Sequence, residues 1–231
     1  MKILTIDIGG SHIKATILDE AGMLIQDYER LLTPVPSGPL DVLEAIKTLV
    51  KKFTEYDRIS VGFPGYVKKG VIKTAPNLGT EQWKEFDLEN AITVILKKPA
   101  KVVNDADLQG LGVVSGKGLE MVITLGTGFG TALLNDGILL PHLELSHLPI
   151  SKDKIYDEYI GEKAYDSKGV VQWNKRVERI LQILKTVFNY DHLYIGGGNA
   201  KKINFKLDEN ISIITNRDGI KGGAKLWRQN N

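Results

Sequence analysis

The chain has 231 residues, of which 42% are hydrophobic and 25% are charged, and its formal net charge is +2. This composition is typical of a soluble globular protein, and the small net charge argues against nucleic acid as the main partner. Cysteine is absent, which excludes disulfides, thiol catalysis and cysteine-ligated zinc. Because no apolar stretch approaches the roughly 20 residues of a membrane span, we expect no membrane contact and a cytoplasmic protein.

The first elements are two short apolar runs around a glycine turn. The run ILTIDI at 3–8 predicts a strand, the turn at 9–11 ends it, and a second strand follows at Ile13–Leu18. A third strand comes next. An amphipathic helix is then predicted from about Pro39 to Phe53, because its apolar residues recur at helical spacing. The strand DRISVGFPG, from Asp57, again ends in glycine.

The middle of the chain, KPAKVVNDADLQGLGVV, predicts a strand that leads directly into a helix ending near Val114. Two carboxylates, Asp105 and Asp107, lie at this junction, where open α/β sheets commonly hold ligands. Capping of the helix N-terminus is the simpler alternative for either residue. Asp105 directly follows the strand, so we favour it over Asp107 as the residue that points into a cleft.

The second half repeats the pattern of the first. A strand at 121–125, a glycine-rich turn and a strand at 130–134 match the opening hairpin at an offset of 117 residues. A helix from about Val170 to Phe188 and a second strand ending in glycine, DHLYIGGGN, follow. The repeat predicts an α/β protein with two related lobes. We place the first lobe at 1–103, rejoined by a C-terminal helix at 218–231, and the second lobe at 104–217.

The two glycine turns are expected to face a cleft between these lobes, where ligands usually bind. Glycine tolerates positive φ and lets a ligand approach the main chain closely. A turn such as TLGTGFGTAL, residues 124–133, can therefore surround an anion with backbone N–H groups. A glycine-rich turn without a ligand is the alternative.

Seven motifs appear together in one order: DIGGSHIK, GFPG, TAPNLGTEQW, VVNDAD, TLGTGFGTAL, ELSHL and YIGGGNAKK. In this order they resemble the ROK family of sugar kinases, within the actin/hexokinase superfamily, and most of all its polyphosphate/ATP glucokinases. The resemblance extends from about Lys2 to Leu226. It implies a two-lobed actin-like (ribonuclease H-like) ATPase fold. It also implies Mg²⁺-dependent phosphoryl transfer from polyphosphate or ATP to a hydroxyl of glucose or a related hexose.

The resemblance assigns three segments to the phosphoryl donor. The first phosphate hairpin comprises Asp7, Gly9, Gly10, Ser11 and Lys14, with Asp7 organising Mg²⁺ through water. The second phosphate hairpin comprises Thr127, Gly128 and Gly130, and the nucleotide-side loop comprises Gly196, Gly197 and Gly198. Backbone N–H groups in such turns are expected to hold phosphoryl oxygens.

The resemblance also assigns the acceptor site. Asp105 matches the catalytic base, which accepts the proton of the attacking sugar hydroxyl. The remaining matched positions bind the sugar: Gly65, Asn77, Asn104, Glu144 and His147.

Three departures from the family pattern bear on this assignment. Ser146 replaces the glycine of the usual GH pair, and its side chain is expected to crowd the sugar pocket or to shift His147. The cysteine-rich zinc loop of most ROK proteins is missing, so we expect no structural zinc. The third departure is the C-terminal segment NRDGIKGGAKL, which has Arg217, Asp218, Lys221 and Lys225 where the family is mostly small and apolar. Separately, a further sugar-contacting acid is expected after His147, and Asp157 and Glu158 both remain candidates for it.

Two other functions stay open at this point. The first is a catalytically weak or silent sugar-binding sensor, although ROK repressors carry an N-terminal DNA-binding segment and the first strand here begins at Ile3. The second is an actin-like ATPase with a non-sugar substrate. By resemblance, we also expect a homodimer.

Overall fold

The computed structural model describes residues 1–229 and divides into two units. The first unit comprises Met1–Gly112 together with the segment from Ile220 onward, and the second comprises Val113–Gly219. The division therefore falls after Gly112, whereas the sequence placed it after Val103. The reason is that the helix after Asn104 packs on the first sheet, where a Cβ at Gly62 would lie 3.0 Å from the Leu108 side chain.

The first unit is built on a central five-stranded sheet and a small second sheet. In chain order its strands are β1 (Ile3–Ile8), β2 (His12–Leu18), β3 (Leu24–Leu32), β4 (Arg58–Phe63), β5 (Val67–Lys68), β6 (Val71–Ile72), β7 (Phe86–Asp87) and β8 (Ala100–Asn104). The central sheet has the order β3-β2-β1-β4-β8, and β5-β6-β7 form the small sheet. Strand β1 is antiparallel to β2 and parallel to β4, so the carboxyl ends of β1, β4 and β8 lie at one edge.

Four helices accompany these strands: α1 (Pro39–Val50), α2 (Thr80–Trp83), α3 (Leu88–Leu96) and α4 (Asp105–Val113). Alternate side chains of β1, such as Leu4 and Ile6, are buried in one core with the apolar stripe of α1. Helix α1 ends at Val50, before the predicted end at Phe53, but the Phe53 side chain is buried in the same core.

The second unit repeats the central sheet. Its strands are β9 (Leu119–Leu125), β10 (Phe129–Asn135), β11 (Ile138–Leu139), β12 (Pro149–Ser151), β13 (Lys154–Ile155), β14 (His192–Gly196) and β15 (Ile211–Ile213). The five-stranded sheet has the order β11-β10-β9-β14-β15. Strand β9 is antiparallel to β10 and parallel to β14, as β1 is to β2 and β4. The predicted repeat is thus present in both strand order and strand direction.

The helices of the second unit are α5 (Tyr156–Ile160), α6 (Glu162–Phe188) and α7 (Asn216–Gly219), with single 3-10 turns at Leu145–His147 and Ala200–Lys202. Helix α6 begins at Glu162, earlier than the predicted start near Val170. It is interrupted at Gly169, whose φ of 73° leaves the helical region, so the predicted start coincides with this break. After the break, Trp173 and Val177 are fully buried against the sheet core.

The chain returns to the first unit through α8 (Gly222–Lys225) and a 3-10 turn at Leu226–Arg228, not through one helix from residue 218. Helix α8 lies close to β1 and β4. A Cβ at Gly223 would overlap the side chain of Thr5 in β1, and Ser60 Oγ in β4 donates to the Gly223 carbonyl at 2.7 Å. Asn230 and Asn231, the end of the predicted helix, lie outside the described residues. Among residues 1–229, no helix combines the length and apolarity that crossing a bilayer requires.

Candidate active site

The turn between β1 and β2 is fixed through its carbonyl groups. Thr33 donates from its hydroxyl to the Gly9 carbonyl at 2.6 Å and from its backbone N–H to the Ser11 carbonyl at 3.0 Å. The Gly9 N–H donates to the His12 carbonyl at 2.9 Å. Within residues 1–229 the N–H groups of Gly10 and Ser11 donate to no protein acceptor. Two neighbouring amides of this turn are therefore available to an anion.

A pair of opposite charges lies beside this turn. Asp7 and Lys14 are direct cross-strand partners, and Lys14 Nζ lies 3.5 Å from Asp7 Oδ2. Burial raises the pKa of Asp7, and the Lys14 ammonium opposes that shift. In the described part of the chain no cluster of three or more acidic, histidine or cysteine side chains could hold a metal alone. A single carboxylate fits Mg²⁺ that keeps its waters and takes its other ligands from substrate phosphates.

The turn between β9 and β10 is also fixed through its carbonyl groups, but by more partners. Asn199 donates from its backbone to the Leu125 carbonyl at 2.9 Å and from its side chain to the Gly126 carbonyl at 3.3 Å. The Glu162 N–H donates to the Thr127 carbonyl at 3.3 Å. In the region that the structure describes, the N–H groups of Thr127 and Gly128 have no protein acceptor. Both hairpins thus present a pair of unused amides.

The glycine loop after β14 supports the second hairpin. Gly197 has a φ of 86°, and a Cβ there would overlap the Leu125 backbone, so only glycine permits this close approach. The sequence pattern assigned Gly196, Gly197 and Gly198 to the nucleotide side but missed Asn199, which makes the hydrogen bonds to the hairpin. Its position directly after the GGG motif is the signal that could have identified it.

The three polar residues at the junction of β8 and α4, Asn104, Asp105 and Asp107, differ in burial and in hydrogen bonding. The buried Asn104 accepts from the backbone N–H groups of Ala106 at 2.8 Å and Asp107 at 3.3 Å, and donates to the Gly65 carbonyl at 3.1 Å. Asn104 therefore caps α4 and ties it to the GFPG turn. Asp107 is buried, whereas Asp105 is only half-buried, which makes Asp105 the more accessible carboxylate.

The other predicted sugar positions of the first unit lie next to these groups. A Cβ at Gly65 would overlap the Thr74 carbonyl, so the GFPG turn packs directly on the segment that leads to Asn77. Asn77 is exposed, and its Cβ lies 3.6 Å from the point that a Cβ on Gly10 would occupy. The structure thus connects the first hairpin, Asn77, Gly65 and Asn104 through a continuous series of close contacts.

The ELSH segment forms its own network in the second unit. Ser146 Oγ donates to Glu144 Oε2 at 3.1 Å, and His142 Nε2 lies 3.3 Å from Glu144 Oε1. Burial alone would raise the pKa of Glu144, but its hydrogen bonds with His142 and Ser146 and the charge of His142 outweigh burial and lower it. His147 is exposed, and its N–H donates to the Glu144 carbonyl at 3.1 Å. The buried Ser146 side chain binds the Glu144 carboxylate, a role that the sequence pattern did not predict.

The two candidates for a further acid have different partners. Glu158 is exposed and accepts from the Ile155 N–H at 3.2 Å, at the start of α5. Asp157 accepts from the Phe129 N–H at 2.8 Å, directly after the second hairpin turn. Only Asp157 touches a predicted binding segment.

Two related five-stranded sheets, each with a glycine hairpin that leaves amides unused, define the actin-like (ribonuclease H-like) ATPase fold. The family model described as "ROK family" matches residues 3–143. A polyphosphate glucokinase from Mycobacterium tuberculosis is 33% identical over 224 residues, which cover 93% of this chain and 83% of that protein. The chain belongs to the ROK family.

Solved structures agree with this assignment. The inorganic polyphosphate/ATP-glucomannokinase from Arthrobacter sp. strain KM matches with a TM-score of 0.88 and 31% identity, over 97% of each chain. A ROK family glucokinase from Streptomyces griseus, solved with glucose and AMPPNP, matches with a TM-score of 0.84 over the whole of both chains. Its identity of 18% supports the fold alone.

Proposed function

We propose that this protein is a kinase that transfers a phosphoryl group from polyphosphate or ATP to a hydroxyl of glucose or a related hexose, with Mg²⁺. The observation that carries the proposal is the pair of hairpin turns whose carbonyls are bound and whose amides are unused, in a chain that also places an accessible carboxylate after β8. The relatives from M. tuberculosis and Arthrobacter, both named for polyphosphate, support this donor.

Donor binding is assigned to the two hairpins and the glycine loop. The amides of Gly10 and Ser11, and those of Thr127 and Gly128, would donate to phosphoryl oxygens without any rearrangement of their carbonyls. Lys14 adds a positive charge beside the first turn. Asp7 would bind Mg²⁺ through its waters, and the ion would neutralise charge that develops on the transferred group.

The acceptor chemistry is assigned to Asp105. Its carboxylate would accept the proton of the sugar hydroxyl as that oxygen attacks phosphorus, a step typically worth about 10²–10⁴ in rate. Asn77, Glu144 and His147 would bind the sugar hydroxyls as donors and acceptors. Asn104 would act at this site mainly by holding α4 and the Gly65 turn in place, because its carbonyl oxygen is occupied by two backbone N–H groups.

The test is a coupled assay for glucose phosphorylation with Mg²⁺, run in parallel with ATP and with long-chain polyphosphate. We expect turnover with at least one donor, and we expect Asp105→Ala to reduce kcat by about 10²-fold or more while glucose binding, measured by calorimetry, persists. No turnover with glucose, mannose or N-acetylglucosamine would contradict the proposal. Retained sugar binding in that case would favour a sensor.

The homodimer suggested by the family belongs to the same proposal. Sedimentation equilibrium with and without glucose tests it directly. A single species of the monomer mass, 25.6 kDa, at micromolar concentration would contradict it.

A further inference from the structure

The geometry points to Asp157 as the positioning residue of the second hairpin: its carboxylate fixes the turn so that the amides of Thr127 and Gly128 stay available to the phosphoryl donor. The inference rests on the proposed function, because it assumes that the second hairpin binds the phosphoryl donor. It gives Asp157 a partner in the hairpin, while sugar binding by an acid after His147 stays a prediction.

The Asp157 carboxylate contacts the backbone of the second hairpin directly. Asp157 Oδ1 accepts from the Phe129 N–H at 2.8 Å, the length of a hydrogen bond to a charged acceptor. Phe129 is the first residue of β10, so this N–H directly follows the two unused amides. Fixing it fixes the orientation of the peptide group that joins Gly128 to Phe129.

The Asp157 carboxylate also fills the space next to Gly128. A Cβ at Gly128 would lie 2.5 Å from Asp157 Oδ1 and 3.4 Å from its carboxyl carbon. A larger residue at this position would therefore displace the Asp157 carboxylate or the turn, independently of what the donor needs. The sequence pattern explained Gly128 by the approach of phosphate, and the structure adds a protein partner on this residue.

The segment that carries Asp157 is itself anchored to its surroundings. The Tyr156 N–H donates to the Leu148 carbonyl at 3.0 Å, and the buried Tyr156 ring lies 5.9 Å from the Phe129 ring, centroid to centroid. After α5, the Glu162 N–H binds the Thr127 carbonyl, and a Cβ at Gly161 would lie 3.0 Å from that same oxygen. The 156–162 segment thus holds the turn on both sides of Gly128.

The test compares three variants with the wild-type protein. Asp157→Ala removes the acceptor, Asp157→Asn keeps an oxygen that can accept from Phe129, and Glu158→Gln changes the neighbouring carboxylate, which does not contact the turn. We expect Asp157→Ala to raise the KM for the donor about tenfold or more, the scale of one hydrogen bond to a charged group. Asp157→Asn and Glu158→Gln should stay within about threefold of the wild-type donor KM, and both Asp157 variants should keep the glucose KM.

A rise in the glucose KM with an unchanged donor KM would overturn the inference, because Asp157 would then bind the sugar directly. Equal losses in Asp157→Ala and Asp157→Asn would also overturn it, since the negative charge and not the hydrogen bond would then be what matters.

A second measurement does not depend on turnover. Hydrogen exchange at the Phe129 amide should be faster in Asp157→Ala than in the wild type, and close to the wild-type rate in Glu158→Gln. Tripolyphosphate affinity, measured by calorimetry without sugar, should fall in Asp157→Ala. If the wild type phosphorylates no sugar, the proposed function fails, but exchange and tripolyphosphate affinity still decide the inference. An unchanged Phe129 exchange rate in Asp157→Ala would overturn it.

Discussion

The two hairpins occupy equivalent places in their sheets, yet they are held and charged differently. Thr33 alone binds two carbonyls of the first turn, whereas the second turn is bound by Asn199, Glu162 and Asp157. At the offset of 117 residues, the charged pair Asp7 and Lys14 aligns with the neutral Thr124 and Thr131. Both turns keep two unused amides, but the groups around them differ: a carboxylate and an ammonium stand together beside the first turn, whereas the second turn is held by backbone and amide donors and by the Asp157 carboxylate.

At the other end of these strands the charged side chain lies in the second unit and the first unit is apolar. Ile3, the first residue of β1, makes apolar contacts with Leu18 of β2 and with Ala224 in the C-terminal segment. At the equivalent place in the second unit stands Glu120, fully buried. Its carboxylate accepts from the N–H groups of Ser115 and Gly116, each at 2.7 Å, and from the Tyr194 hydroxyl. Here the second unit carries the charge, in a structural role.

The largest effect is expected at Gly128. In Gly128→Ala the added Cβ meets Asp157 Oδ1, so the turn or the carboxylate has to move. We expect kcat/KM for the donor to fall by about 10- to 100-fold, in line with a strain of about 1–3 kcal/mol. Gly126→Ala places a Cβ where no heavy atom lies within 4 Å, and its loss should be clearly smaller. Equal losses would show that glycine freedom, and not Asp157, sets the requirement.

Next is Glu120, which tests the charge at the other end of the strands. Burial alone would raise the pKa of Glu120, but its hydrogen bonds outweigh burial and lower it below the unfolded value of about 4.5. The carboxylate therefore adds stability above that pH, and this stability is lost as the pH falls through the lower folded pKa. Urea unfolding should show Glu120→Gln less stable by about 2 kcal/mol at pH 7, with the difference shrinking in acid. The exposed Glu209→Gln is the control, and a pH-independent difference would contradict this explanation.

Lys14 tests the charge of the first hairpin. Lys14→Gln removes the ammonium next to Asp7 and the unused amides, and we expect the donor KM to rise by about tenfold. Because the lost interaction is electrostatic, the KM for polyphosphate should depend less on salt in the variant than in the wild type. Steady-state kinetics between low and moderate salt measure both effects. A donor KM that does not move would place Lys14 outside the donor site.

Thr131, the counterpart of Lys14, should affect the other substrate. Its hydroxyl donates to the Leu143 carbonyl at 2.9 Å, next to Glu144. Thr131→Val removes one neutral hydrogen bond, worth about 1 kcal/mol, and should raise the glucose KM by about fivefold. The donor KM is the internal comparison. If Thr131→Val changed the donor KM and not the glucose KM, the contrast between the two hairpins would be lost.

Local patterns predicted the elements that repeat: the hairpins, the helices and the strands that end in glycine. They also identified the junction of β8 and α4, where the accessibility of Asp105 and the burial of Asp107 agree with the preference for Asp105. These features depend on residues close in sequence, whose spacing alone carries the signal.

The partners of the turns could not be predicted in the same way. Thr33 and Asn199 reach the hairpins from distant parts of the chain, and a single threonine or asparagine carries no periodic signal. For Ser146 the sequence predicts only crowding of the sugar pocket or a shift of His147, because the hydrogen bond from its hydroxyl to Glu144 depends on the conformation of the ELSH segment. The early start of α6 was missed because Gly169 interrupts the apolar pattern.

In the proposed function, both hairpins bind the donor through their unused amides. The most direct measurement is a two-dimensional amide NMR titration of the protein with Mg²⁺ and tripolyphosphate. We predict saturable shifts of the Gly10, Ser11, Thr127 and Gly128 amide signals, with no comparable shift at Gly22, which lies in the turn at the opposite end of β2. Saturable tripolyphosphate binding that leaves both pairs of amides unshifted would contradict donor binding by the hairpins.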